Sequence, residues 1–350
     1  MRILFLLPFS PTAGVGNATT ARRIQAGLER FGHQTQALGL TEDLRPDSDG
    51  NWEFPAELKA AATDCDLIVA LHAVRTGPVA AGLKEALQKP FVLLFTGTDL
   101  NGKPPAWAVQ SAARANACVA LAPVASKRAS EIYSLSEVET ILQAAAPLPE
   151  PRGGARMPER LPKLDADDFL VFVPSGIRPV KDPQRAVRVL RKPANRHARL
   201  KLWIAGEMLD QKEMDALQAE LDKFAWAEYV GPLTAEEMAP VMRRANLVAS
   251  TSRSEGGPPN ALLEAALFAR PIAASNIPMH RFFPGPQFVF RDDGYLVRMI
   301  ERCMEEPQKV AMEARQLCEE TRTKFDRTSE AVAWDRLVRR VDANPWKAKA

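Results

Sequence analysis

The stretch S-T-S-R-S-E-G-G-P-P-N-A-L-L-E, Ser250 to Glu264, decides how the second half of this chain is read. It leaves the short apolar run Leu247–Ser250, turns through Gly256, Gly257, Pro258 and Pro259, and enters a helical pattern at about Asn260 that runs to Ala269. Another apolar run, Ile272–Ala274, follows. A buried strand, a Gly/Pro turn, a helix and a second strand in that order make a βαβ unit, the building block of a parallel sheet with helices on both faces. The turn carries chemistry as well as direction. Glu255 stands just past the strand, Glu264 stands on the helix, and the glycines between them let backbone N–H groups approach a bound group closely. An acidic bias at a helix start accounts for Glu264 by itself, but not for the Glu-Gly-Gly-Pro-Pro loop.

The same alternation extends outward in both directions. Towards the N-terminus, Ile3–Leu7, Leu67–Leu71, Phe91–Phe95, Ala117–Leu121 and Thr140–Leu142 read as strands, near-continuous apolar runs of the kind buried on both faces. Pro147–Asp168 then carries seven prolines or glycines without periodicity, the composition of a linker. A second series follows in Leu170–Val173, Leu202–Ala205, Tyr229–Val230, Leu247–Ser250, Ile272–Ala274 and Phe288–Phe290, and the chain closes with helical patterns over Gln308–Glu320 and Arg327–Val341. The expectation is an α/β protein of two Rossmann-like, doubly wound domains facing a central cleft. Its divisions are an N-terminal domain over 1–150, a linker over 151–168, a second domain over 169–325, and a helical segment over 326–350 that packs back on the first domain.

Bulk properties narrow the class. At 350 residues, 46% hydrophobic and 25% charged, the chain is long enough for two ordinary cores, and its net charge of +3 gives no ground for nucleic-acid binding. Cys65, Cys118, Cys303 and Cys318 are widely spaced and form no CxxC pair, so reduced thiols are expected and neither zinc nor disulfides are indicated. The opening M-R-I-L-F-L-L-P is too short an apolar run for a secretory segment, and no run approaches the ~20 apolar residues of a membrane span. A cytoplasmic location is the expectation, with peripheral membrane contact left open.

Four further clusters fall at the ends of predicted strands, where open α/β sheets bind ligands. In T-A-G-V-G-N-A-T-T-A, Gly14 and Gly16 permit a tight turn and Asn17 can cap a helix with Ile24, Leu28 and Phe31 on its apolar face. That helix start suits an oxyanion, though a plain βα turn explains the glycines equally well. His72 and Arg75 close the run D-L-I-V-A-L-H-A-V-R, and T-G-T-D-L-N presents Thr96, Thr98, Asp99 and Asn101. A structural histidine and ordinary turn chemistry are the competing readings there. In P-S-G-I-R-P-V-K-D-P, Gly176 allows close backbone approach while Arg178 and Lys181 place two cations on one short loop, a better fit to a diphosphate than to solvent.

Taken together, these residues resemble glycosyltransferase family 4. The matching positions are Gly176-Ile177-Arg178 through Lys181-Asp182-Pro183, Ser252 through Gly256, Glu264, and P-I-A-A-S-N-I-P over Pro271–Pro278. Gly16–Ala21, Leu71–Arg75, Gly97–Leu100 and Gln143–Pro149 add, in order, a set similar to the selenosugar synthases of selenoneine biosynthesis and the related glycosyltransferase 1 domain-containing proteins. The resemblance implies the GT-B fold and a retaining, metal-independent transfer from a UDP-sugar, UDP-GlcNAc among the candidates. No cofactor is implied, and the partners are the nucleotide-sugar donor and a small anionic acceptor such as selenophosphate. It assigns catalysis to Arg178, Lys181, Glu255 and His72. Donor binding falls to Gly176, Gly256, Gly257, Asn260 and Glu264, and acceptor binding to Gly16, Asn17, Thr20, Arg75, Thr98 and Asp99. Two positions depart from the family pattern: the glutamates are nine residues apart instead of eight, and Met279 stands where the family has glycine. Alternatives at this point are a hydroxyl acceptor, a nucleotide-sugar-binding protein without transfer activity, and an epimerase of the same architecture. A Rossmann dehydrogenase is disfavoured because GxGxxG is absent.

Overall fold

The computed structural model describes residues 1–14, 16–40, 44–47, 51–149 and 156–344. Twelve strands occur among them. In chain order they are β1 (Arg2–Leu7), β2 (Gln34–Gly39), β3 (Leu67–Leu71), β4 (Phe91–Phe95), β5 (Ala117–Ala120), β6 (Glu139–Thr140), β7 (Phe169–Pro174), β8 (Leu200–Ala205), β9 (Ala227–Tyr229), β10 (Leu247–Ser250), β11 (Ile272–Ser275) and β12 (Val289–Phe290). They form two six-stranded sheets, ordered β2-β1-β3-β4-β5-β6 and β12-β11-β10-β7-β8-β9, with every pair parallel. The architecture is α/β, two doubly wound sheets with helices between the strands.

The interior strands form because their residues leave water on both faces. All five residues of β3 and all five of β4 are buried, so no alternation of polar and apolar positions is needed. Strand β2 is the exception that the apolar-run reading passes over. Its sequence Q-T-Q-A-L-G is half-exposed, because it pairs only with β1 at the edge of the sheet.

The chain divides into two compact units, Met1–Ala144 with Phe325–Ala350, and Ala145–Lys324. In the first unit, the helix Arg327–Ala343 lies on the helix Gly16–Glu29. Gly27 makes the approach possible, since a Cβ there would stand 3.1 Å from Ala331 Cβ. Trp334, Leu337 and Val338 on the last helix are wholly buried. The Arg23 guanidinium meets the Glu330 carboxylate through two hydrogen bonds of 2.8 and 3.0 Å, and both side chains are buried. In the second unit, Val171, Val173, Leu202, Ile204, Leu247 and Ala249 share one core with Val187, Leu190, Leu296 and Ile300 from covering helices. Arg160 ties the chain ahead of β7 to this unit, gripping Glu237 and donating to the Val230 and Pro232 carbonyls. Among the described residues no helix is long and apolar enough to cross a membrane.

Candidate active site

Strand order determines where a loop can meet another loop. In the second unit the chain lays down β7, β8 and β9 on one side and then returns to place β10 on the other side of β7. The segments leaving β7 and β10 therefore diverge at the carboxyl edge, the position where doubly wound sheets leave room for a ligand. Arg178 and Lys181 leave from β7, and Glu255 leaves from β10.

The two segments are stitched together. Thr251 Oγ1 donates to the carbonyls of Lys181 and Asp182 at 3.1 and 2.8 Å, and the Arg253 amide donates to the Val180 carbonyl at 2.8 Å. The buried Asp182 carboxylate accepts from the Arg253 side chain at 3.0 and 3.1 Å and from Arg188 at 3.3 Å. Asp182 holds a left-handed backbone at φ 43°, a conformation that aspartate tolerates better than most residues. A further close approach comes from β8: a Cβ on Gly206 would lie 2.3 Å from the Ser175 carbonyl oxygen, so no side chain fits there. Gly176 is packed as well, with Leu209 Cδ1 3.0 Å from where its Cβ would be.

This scaffold brings Lys181 Nζ to 2.5 Å from Glu255 Oε1, with side-chain exposures of 17% and 11%. Burial pushes the Glu255 carboxyl towards protonation. The Lys181 charge, the nearby His280 ring and hydrogen bonds from Lys181 and Ser252 outweigh it and hold the pKa below the ordinary value. Burial lowers the Arg178 pKa while the Glu255 charge acts against that, and the guanidinium stays charged at neutral pH. Arg178 Nε is buried without a hydrogen-bond partner. An unpaired donor of this kind is costly and is relieved by an oxyanion.

Both prolines between the glutamates precede the helix Asn260–Leu267, which starts after Pro259. Glu264 stands on the second turn of that helix and is half-buried, Asn260 is its first residue, and Gly256 is buried in the loop. Met279 is 2% exposed, so its side chain fills the core under the short helix Pro278–Phe282. Next to it is the residue that sequence reading missed. His280 is wholly buried, and its ring lies close enough to Glu255 and Lys181 for their charges to act on it. The histidine is visible in I-P-M-H over Ile277–His280, but only the fold brings it near Glu255.

In the first unit the corresponding divergence lies between β1 and β3. Arg75 reaches across it: its guanidinium sits 4.9 Å from the Phe9 ring and donates to the Pro8 carbonyl at 3.2 Å. Gly16 and Asn17 are the first two residues of their helix, so Asn17 lies inside the helix where a cap was expected. Thr20 faces the interior at 4% exposure. His72 takes a left-handed φ of 85°, its Nε2 lies 3.0 Å from Thr98 Oγ1, and its Nδ1 is buried without a partner. Such a backbone costs on the order of 1–3 kcal/mol and persists where the surroundings enforce it. The enforcement comes from Asp99, whose buried carboxylate accepts the Ala73 amide at 3.0 Å, the Gly97 amide at 2.7 Å and the Thr96 amide at 3.3 Å. Asp99 thus binds the turn that displays Thr98, which is exposed. Among the described residues no three His, Cys, Asp or Glu side chains are grouped to hold a metal ion.

Comparison with known proteins bears on the fold and on the second unit. Residues 169–306, which carry the Arg178–Lys181–Glu255 cluster, match the family described as Glycosyl transferases group 1. Among solved structures, the chain is similar to sucrose-phosphate synthase from Thermosynechococcus elongatus, with 15% identity over 98% of this chain and 99% of that one and a TM-score of 0.76. It is similar to HepE from Anabaena in complex with UDP-glucose, with 17% identity over 98% and 100% of the two chains and a TM-score of 0.73. The α,α-trehalose 6-phosphate synthase of Burkholderia multivorans shares 11% identity over 99% of both chains, with a TM-score of 0.69. The fold is therefore GT-B, and the match to the group 1 family lies within the second unit.

Proposed function

We propose that the protein is a retaining glycosyltransferase that moves a sugar from a UDP-sugar to a small anionic acceptor without a metal ion. The observation that carries this reading is the partly buried Lys181–Glu255 pair with Arg178 beside it, at the point where β7 and β10 diverge. In the reaction the bond between the anomeric carbon and the diphosphate oxygen breaks, UDP leaves with the electron pair, and the acceptor nucleophile bonds to that carbon. Arg178 and Lys181 stabilise the charge that grows on the diphosphate, a preorganised electrostatic contribution that ranks among the largest in catalysis. An ammonium has three donors, so Lys181 serves Glu255 and a phosphate oxygen at once. The Gly256 and Gly257 amides assist, Asn260 opens the helix beside them, and Gly176 lets the backbone approach the donor. Glu264 accepts from the ribose hydroxyls and Glu255 from the sugar.

The acceptor falls to the first unit. Gly16 and Asn17 offer amide donors at a helix start, Arg75 a cation, and His72 with Thr98 a polar pair, while Asp99 holds the turn beneath them. A small oxyanion such as selenophosphate suits that set of donors, and UDP-glucose bound to HepE supports a UDP-linked donor. The test is a panel of UDP-, GDP- and ADP-sugars incubated with and without selenophosphate or thiophosphate, with products identified by mass. Product is expected only with a UDP-sugar plus acceptor, and the Arg178→Ala/Lys181→Ala variant should fold normally and make none. Turnover unchanged in that variant removes the assignment. An isomerised donor formed without acceptor makes the protein an epimerase.

A further inference from the structure

His280 is buried at 0% exposure on the helix that follows β11, yet it makes a defined set of polar contacts. Its Nδ1 lies 2.8 Å from the Ser275 carbonyl oxygen and 3.2 Å from Ser275 Oγ. A carbonyl only accepts, so Nδ1 carries a proton, and burial lowers the pKa of the ring, which leaves a lone pair on Nε2 at neutral pH. Ser275 Oγ in turn donates to the Ser252 carbonyl oxygen. The Ser252 hydroxyl accepts from Ser250 Oγ at 3.2 Å, and its hydrogen bond favours the charged form of Glu255. Polar contacts thus tie the helix after β11 to Ser252, three residues ahead of Glu255 on the loop after β10.

Building on the proposed function, we propose that His280 is a positioning residue for Glu255: through Ser275 and Ser252 it fixes the loop that presents the Glu255 carboxylate to the donor sugar. The alternative role for a wholly buried ring is packing alone. Packing would be served by any side chain of similar volume, and would not require a protonated Nδ1 or the two serines. Glu255, Lys181 and His280 come from three different segments, so their mutual placement depends on the contacts between those segments.

The test compares His280→Asn, which keeps a donor close to the Nδ1 position, with His280→Ala, Ser275→Ala and the His280→Ala/Ser275→Ala pair. In the ligand-free protein the Glu255 side-chain carboxyl is titrated by 13C NMR, its signal identified with Glu255→Gln. His280→Ala and Ser275→Ala should each raise the titration midpoint, His280→Asn should leave it near wild type, and the double variant should add little to either single one. With UDP-GlcNAc, or whichever UDP-sugar the wild type consumes, the two alanine variants should lose about tenfold in kcat/KM, the scale of one hydrogen bond, while UDP affinity stays within about twofold. An unmoved Glu255 midpoint in His280→Ala, equal losses in His280→Asn and His280→Ala, or full additivity would overturn the proposal. Should His280→Ala not fold, Ser275→Ala against His280→Asn decides the matter. Failure of the wild type to use any sugar nucleotide would defeat the functional reading, while the titration would still answer for His280.

Discussion

Removing the Glu330 carboxylate should destabilise the first unit strongly. Glu330→Ala strips the carboxylate from a guanidinium that is only 4% exposed and that now makes two hydrogen bonds of 2.8 and 3.0 Å to it. Breaking a buried pair from one side costs about 3–5 kcal/mol, because the remaining charge is left in a poorly solvating interior. The unit holds about 170 residues, and at that size each 1 kcal/mol moves the melting temperature by about 2–4 °C. The expected fall is thus about 6–20 °C, read by calorimetry or by guanidinium titration of the variant against wild type. A second variant isolates the cause. Arg23→Met/Glu330→Leu replaces both charges with apolar groups and should recover most of the loss, since a buried ion pair and a packed apolar pair are close in free energy. A shift under about 2 °C for Glu330→Ala, or a double variant no better than the single one, would refute the idea that pairing and not packing secures the last helix.

Three further outcomes follow from the second unit and the thiols. Glu264→Ala should weaken UDP binding by about 10- to 100-fold in calorimetry, the worth of hydrogen bonds to a charged group, and an unchanged affinity would remove Glu264 from the ribose. Glu255 has a folded-state pKa below its ordinary 4.5, so its stabilisation is complete above the unfolded value and is lost as pH falls through the folded one. The stability difference between wild type and Glu255→Gln should accordingly be constant near neutrality and shrink below pH 4.5, and a difference that grows there would contradict the sign. Burial raises the Cys303 thiol pKa to about 12 and the Cys65 thiol pKa to about 11, so both should resist iodoacetamide at pH 7.5 in the folded protein and react on denaturation, as followed by mass.

Most of the sheet could be read in the sequence. Leu67–Leu71, Phe91–Phe95 and Leu247–Ser250 appear in the structure with the bounds read from their apolar runs, because strands buried on both faces need an uninterrupted run of that kind. Gln34–Gly39 could not be read that way, since an edge strand keeps polar residues on its open side. The cations of the 176–183 loop and the acid of the 252–257 loop were also legible, as charged residues crowded next to glycine at strand ends.

What the chain by itself determined was local: which runs must leave water, where turns break them, and which charged groups sit at strand ends. Tertiary structure decided the partnerships. It paired Lys181 with Glu255 across 74 positions of sequence and wired His280 into the Ser275 and Ser252 contacts. It also turned the Asp99 carboxylate onto three backbone amides where an acceptor ligand had been expected, and buried Met279 in the core. The physical reason is that hydrophobic patterning is written along the chain with the period of each element, whereas a hydrogen bond or ion pair depends on which strands become neighbours. Strand order is a property of the whole sheet, and the crossing that places β10 beside β7 brings the acid to the base.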